Sequence, residues 1–206
     1  VSNGVGIRGT SAYTNSIQGS ESTMRMTRLQ VKGPANTIPI GSITGDLYMK
    51  DCIVQGSAAY NIQSTGVCHY YNVVFFNTNA FGTSGCVLCN GNNTTFTACT
   101  FVYSTDNTPA GVALLTSYGG ISVQTDSCAF FGFTTLYSGF AGTSGNFNAT
   151  DLAAGLPGAN HQYSVTYNST TPFIQASVTG NDLRAKASTS LAANGSLDST
   201  NAPNDI

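Results

Sequence analysis

One pattern of apolar and polar positions returns five times along the chain. It reads MRMTRLQV (Met24–Val31), LYMKDCIV (Leu47–Val54), CHYYNVVF (Cys68–Phe75), TTFTACTF (Thr94–Phe101) and VQTDSCAF (Val123–Phe130). The spacing is roughly 20–30 residues, the range of stacked repeats. Within each unit the alternation is that of a strand with two unlike faces. In the second unit Leu47 and Met49 fall on one face, Tyr48 and Lys50 on the other. Val54 is out of phase with Leu47 and Met49, so a bend near Asp51–Cys52 is expected to turn it back inward. Each unit ends in an apolar residue and is followed by Gly, Ser, Thr and Asn. None reads as a helix. Between the units lie further apolar stretches, Ala58–Ile62, Cys86–Cys89, Val112–Leu115 and Thr134–Tyr137. These predict a second wall of the same coil.

A coil with one apolar side cannot bury it alone, so neighbouring coils must stack. The pattern therefore predicts an all-β fold, a right-handed parallel β-helix of about five to seven coils. The chain reads as one domain: residues 1–22 an irregular first coil, 23–136 the regular coils, 137–206 a looser closing region. Pro34, Pro39 and Pro109 are expected in turns.

Aligning the units puts side chains into columns. Leu29, Cys52, Val73, Cys99 and Cys128 share one, and Arg28, Asp51, Asn72, Ala98 and Ser127 the next. Thr27, Lys50, Tyr71, Thr97 and Asp126 share a third, while His69 falls outward with Arg25, Tyr48, Thr95 and Gln124. Cys52 and Cys99 are two coils apart, roughly 9–10 Å, too far to bridge. Cys99 and Cys128 are on adjacent coils, but Leu29 and Val73 in the same column favour buried free thiols. Cys86 and Cys89 form a CxxC that, with Cys68 and His69, has the residue types of a zinc site. Its alignment with Val112-Ala-Leu-Leu115 instead makes both cysteines stand-ins for aliphatics, and neither metal nor cofactor is expected. The Phe75-Phe76 and Phe130-Phe131 pairs must each place one ring outside or at a bend.

Composition narrows the function classes. Only 8% of the 206 residues are charged, against roughly 25% in ordinary soluble domains. Ser, Thr, Asn and Gly take the place of Lys and Glu, which suits exposed strands. Net charge is −2 with no basic cluster, so nucleic acid is not expected as a partner. No apolar run has the length of a membrane-spanning helix. The chain starts at Val1 without a charged-then-apolar leader, which suggests a processed form or part of a longer chain.

The segment Asn181–Gly195, followed by Asp198–Ile206, is similar to the end of many bacterial and phage β-helix proteins. Asp182-Leu183-Arg184 leads into a Ser-rich turn, Ser188–Gly195, and a later Asp205-Ile206. Ser190 stands where such families often carry Pro, and Ala193 where they often carry Asp. The chain thus resembles parallel β-helix proteins of the tailed-phage spike, fibre or capsid-decoration type, within the pectate-lyase-like superfold. The resemblance implies a fold first. For spikes and fibres it also implies a trimer.

Catalysis on carbohydrate needs paired carboxylates, or a carboxylate cluster holding calcium. The chain has nine acidic residues, of which Glu21 is the only Glu. If it is an enzyme, Asp46, Asp51 and Asp126 are the candidates. Asp51 and Asp126 would stand three coils apart, roughly 14–15 Å, which exceeds the separations in either class of glycosidase. Asp46 is the nearest partner for Asp51, and Arg28 would form a cross-coil ion pair with it. No catalytic residue is expected, and His69 and His161 have no evident catalytic partner. The expected function is a virion structural protein, a rigid projection for surface attachment. It would assemble as a homotrimer with other virion proteins at the virion surface, with host-surface polysaccharide as a further partner. The alternatives are a polysaccharide-degrading tailspike or secreted lyase or hydrolase, and a bacterial surface adhesin.

Overall fold

The computed structural model describes residues 5–8, 15–19, 23–33, 38–56, 62–77, 85–91, 93–104, 111–168, 173–176 and 181–185. The strands are β1 (Val5–Arg8), β2 (Asn15–Gly19), β3 (Thr23–Thr27), β4 (Leu29–Lys32), β5 (Ile38–Ile43), β6 (Asp46–Gly56), β7 (Ile62–Ser64), β8 (Cys68–Asn77), β9 (Gly85–Cys89) and β10 (Thr94–Thr97). They continue as β11 (Thr100–Tyr103), β12 (Val112–Leu115), β13 (Ser122–Asp126), β14 (Ala129–Phe131), β15 (Thr135–Ser138), β16 (Gly142–Asn146), β17 (Ala149–Thr150), β18 (Phe173–Ala176) and β19 (Asn181–Ala185). The first sheet runs β1-β4-β6-β8-β10-β13-β16, with β3, β11, β14 and β17 extending its coils. The second runs β15-β12-β9-β7-β5-β2. Pairing within both sheets is parallel, so the chain is a parallel β-solenoid. The expected second wall is the second sheet. Among the described residues only β18 and β19 pair antiparallel, as a separate two-stranded sheet.

The five sequence units stack in register. Met26, Met49, Tyr70, Phe96 and Thr125 form one buried inward column across β3, β6, β8, β10 and β13. Val31, Val54, Phe75, Phe101 and Phe130 form another beyond the bend. The expected bend sits at Asp51, with φ 54°. Arg28, Ala98 and Ser127 share it at φ 54–55°, Asn72 at 52° and Phe147 at 56°. One left-handed residue per coil resets the strand phase, which is why Met49 and Cys52 both face in. Asn and Asp accept this conformation most readily among residues with a side chain.

Ring stacking reinforces the ladder. Phe75, Phe101 and Phe130 stack at centroid distances of 4.9 and 4.7 Å, with Tyr70 on Phe96 at 4.6 Å. Each buried ring contributes about 1.5–3 kcal/mol through burial alone. At the turn that feeds the first sheet the backbones nearly touch. A Cβ on Gly66 would lie 2.0 Å from the Gly45 carbonyl oxygen, and one on Gly91 1.6 Å from that of Gly66.

Three expectations change. Pro39 lies inside β5, buried, and not in a turn. Its fixed φ is compatible with extended chain, and it stands near the start of β5, one residue before Ile40, the first residue of β5 that pairs with β7. Val112 pairs with Gly85 and Leu114 with Val87, so the CxxC is shifted by one residue from the alignment of Cys86 with Val112. Phe76 and Phe131 do point away from the main core, but both are buried. They form a second cluster with Val102, Ala129, Ala149 and Val165, against which Tyr167 packs. Val165 and Tyr167, from a returning stretch of this same chain, pack into this cluster, since bare rings would be costly in water. The segments 188–195 and 205–206, which carry much of the family resemblance, lie outside the described residues. Asp182-Leu183-Arg184 lies in β19.

Candidate functional site

The outer face of the first sheet gathers most of the polar chemistry. Before the bend, alternate residues project outward from each coil, giving the column Arg25, Tyr48, His69, Thr95, Gln124. Beside it runs Thr27, Lys50, Tyr71, Thr97, Asp126. Members of the first column bind one another along the solenoid axis. The Arg25 guanidinium lies 4.4 Å from the Tyr48 ring centroid, and Tyr48 stacks on His69 at 4.9 Å. His69 Nδ1 is 2.8 Å from Thr95 Oγ1. In the second column Lys50 Nζ lies 5.5 Å from the Tyr71 centroid. Both faces of the Tyr48 ring are therefore occupied within the chain. What this column offers outward is ring edges and polar tips, not ring faces.

The structure keeps the three candidate carboxylates apart. Asp126 stands three ladder steps from the coil of Asp51, roughly 14–15 Å. Asp46 and Asp51 open and bend the same strand, β6, roughly 16 Å apart as extended chain. Each carboxylate is spent on a neighbouring coil. Asp46 Oδ1 accepts the Val67 N–H at 3.2 Å, and Asp51 Oδ1 accepts Asn72 Nδ2 at 2.8 Å. Asp126 Oδ1 accepts the Asn146 N–H at 3.0 Å, and its other oxygen accepts from Gln124 Nε2. The hydrogen bond to Asp51 thus comes from Asn72 on the following coil, in place of the expected ion pair with Arg28.

All six cysteines are free and buried. The expected slot holds Cys52 beside Val73 and, farther along, Cys99 and Cys128. Each thiol faces two carbonyls, one two residues back on its own coil (Lys50, Thr97 and Asp126, at 3.2–3.4 Å) and one a coil back (Met26, Tyr70 and Phe96, at 3.5–3.7 Å). The three carbonyls a coil back belong to a single inward column, so the slot suits a small side chain with a weak donor. Burial pushes the Cys52, Cys68, Cys86, Cys89 and Cys128 thiols up from their ordinary value, so the reactive thiolate is disfavoured. Cys68 bonds Ser64 Oγ at 2.9 Å. Among the described residues no three His, Cys, Asp or Glu side chains are grouped to hold a metal ion.

Sequence reasoning missed the C-terminal end of the stack. Asn148, fully buried, takes the slot after Cys128. Its Oδ1 accepts the Cys128 N–H at 2.8 Å, and its Nδ2 donates to the Thr125 carbonyl at 2.8 Å and Thr125 Oγ1 at 3.2 Å. Thr125 Oγ1 also meets the Tyr137 hydroxyl at 2.8 Å. One ladder step further His161 Nδ1 accepts the Asn148 N–H at 3.1 Å. Asp151 is the one described carboxylate that burial pushes up; hydrogen bonds from the Gly132 N–H and Thr150 Oγ1 oppose the rise. No periodic signal marks these residues, because the coil shortens here and the unit pattern ends.

Among the described residues no helix is long and apolar enough to cross a membrane. Comparison with family models, characterised proteins and solved structures returns no match.

Proposed function

We propose that this chain is a structural component of a tailed-phage virion, a rigid spike, fibre or capsid-decoration projection that serves surface attachment. The observation that carries the reading is how the outward groups are used. Asp46, Asp51 and Asp126 each brace a neighbouring coil, and Arg25, Tyr48, His69 and Thr95 bind one another along the axis. Groups committed to stiffening a column are poorly placed to transfer protons to a substrate. The low charge and the similarity of the closing segment to phage β-helix proteins favour a virion setting. We also propose assembly as a homotrimer alongside other virion proteins, with host-surface polysaccharide as the attachment partner.

Immunogold electron microscopy with an antibody against the chain tests the setting, and labelled virions are expected. Incubating the purified protein with host-surface polysaccharide tests the mechanism. Unchanged polymer length supports a non-enzymatic projection. Shortening of the polymer that Asp51→Asn abolishes overturns it in favour of a tailspike enzyme.

A further inference from the structure

We infer that His161 is a pH-sensitive latch that holds the last coil of the solenoid closed. The inference starts from what each imidazole nitrogen faces. Nδ1 lies 3.1 Å from the backbone N–H of Asn148, so it must present its lone pair. Nε2 lies 2.9 Å from the Pro157 carbonyl oxygen, so it must carry the hydrogen. The two contacts together select the neutral ring in a single tautomer.

Asn148 cannot yield. It is fully buried, and its side-chain oxygen and nitrogen are already bonded to Cys128 and Thr125. Its own carbonyl accepts the Gln162 N–H at 2.9 Å. A proton added at Nδ1 would set two N–H donors against each other at the closed end of the core. Such a contact leaves the Asn148 donor unsatisfied.

The titratable groups around the ring do not offset this. Two coils above, Asp126 is engaged by Asn146 and Gln124. Asp151 is engaged by Gly132 and Thr150. Cys128 and Tyr137 lie on the far side of Asn148 and Thr125, and burial keeps both protonated. Tyr163 presents its ring to the imidazole with centroids 6.1 Å apart. His161 itself is half-buried, so protons reach it.

The latch controls more than its own hydrogen bond. The chain after it pairs back on the last coil through Gln162 to Asn148, Thr150 to Gln162, Ser164 to Leu152 and Val165 to Thr150, at 2.9–3.0 Å. Val165 and Tyr167 then cover Phe131 in the outer cluster. Protonation of His161 therefore loosens residues 159–167 and bares Phe131 in the outer cluster.

Amide hydrogen exchange on the whole chain, corrected for intrinsic rates, tests the latch at about pH 7.5 and about pH 5.5, either side of the ordinary imidazole range. Protection at Asn148, Gln162 and Val165 is expected to fall about tenfold at the lower pH, the scale of one unsatisfied donor, while Phe101 in the body is unchanged. His161→Asn keeps an acceptor near the place of Nδ1 and cannot take the proton, so its protection should be the same at both values. His161→Ala should lack the protection at both. Equal wild-type protection at the two values, or a His161→Asn variant that responds as the wild type does, overturns the latch. If either variant fails to fold, imidazole ¹⁵N shifts of the wild type decide. An imidazolium with the Asn148 amide still protected also overturns it.

Discussion

The slot after the bend holds thiols in the body of the solenoid and an amide, then an imidazole, at its C-terminal end. In the body each Cys has a coil on either side, and a weak donor shared between carbonyls at 3.2–3.7 Å suffices because the ladder already satisfies most of the backbone. At the end there is no full coil to follow, and Asn148 supplies three amide hydrogen bonds of 2.8–3.2 Å in place of a weak thiol donor. The same position thus changes from packing to polar closure when its neighbour disappears. Terminal repeats of stacked proteins face this problem generally, since one side of the last unit meets water.

The largest effect should come from the body. Phe101→Ala removes a ring stacked on both sides and should cost about 3–5 kcal/mol in urea unfolding. Asn148→Ala should cost about 2–3 kcal/mol, because the buried Cys128 N–H loses its partner. If its exchange defect spread through the first sheet as far as β6, the end would not be a separate cap. Cys99→Ala should cost about 1–3 kcal/mol through a small cavity, whereas Cys99→Val, the residue already used at Val73, should cost under about 1.5 kcal/mol. Equal losses would mean that the thiol donor, not the volume, is what the slot selects.

The smallest effect is electrostatic. Burial raises Asp151 above the ordinary carboxyl value, so its contribution to stability is fully present below the unfolded value, about pH 3.9. It is lost as pH rises through the raised native value. Asp151→Asn keeps an acceptor for the Gly132 N–H and removes the charge. Its stability relative to wild type should rise between acid and neutral pH, read from urea midpoints across that range.

The body was legible because its causes are local and periodic. Alternation around Leu47, Met49 and Val54 fixed which side chains face in, and the phase error at Val54 located the left-handed residue at Asp51. Columns such as Thr27, Lys50, Tyr71, Thr97 and Asp126 followed directly. The CxxC register was not legible, since aliphatic and thiol side chains leave a one-residue slip unmarked. Pro39 was misplaced because a proline near the start of a strand leaves the same mark in a sequence as one in a turn. The covered state of Phe76 and Phe131 depended on a stretch near Val165 that belongs to no repeat. For the candidate site, the sequence set Asp51 apart from Asp126 but took Asp46 as the nearest partner of Asp51, which the extended run of β6 between them does not allow, and what each carboxylate holds left no mark in the pattern. Asn148 and His161 carried no pattern at all.

The ring column of Phe75, Phe101 and Phe130 has a mechanical consequence. A push along the solenoid axis drives rings 4.7–4.9 Å apart into one another, and close-packed interiors resist compression. A pull along the same axis loads the hydrogen bonds between coils in series, so the weakest coil parts first and the rest stay folded. The molecule should therefore behave as a strut that is stiff under compression and peels from one end under tension.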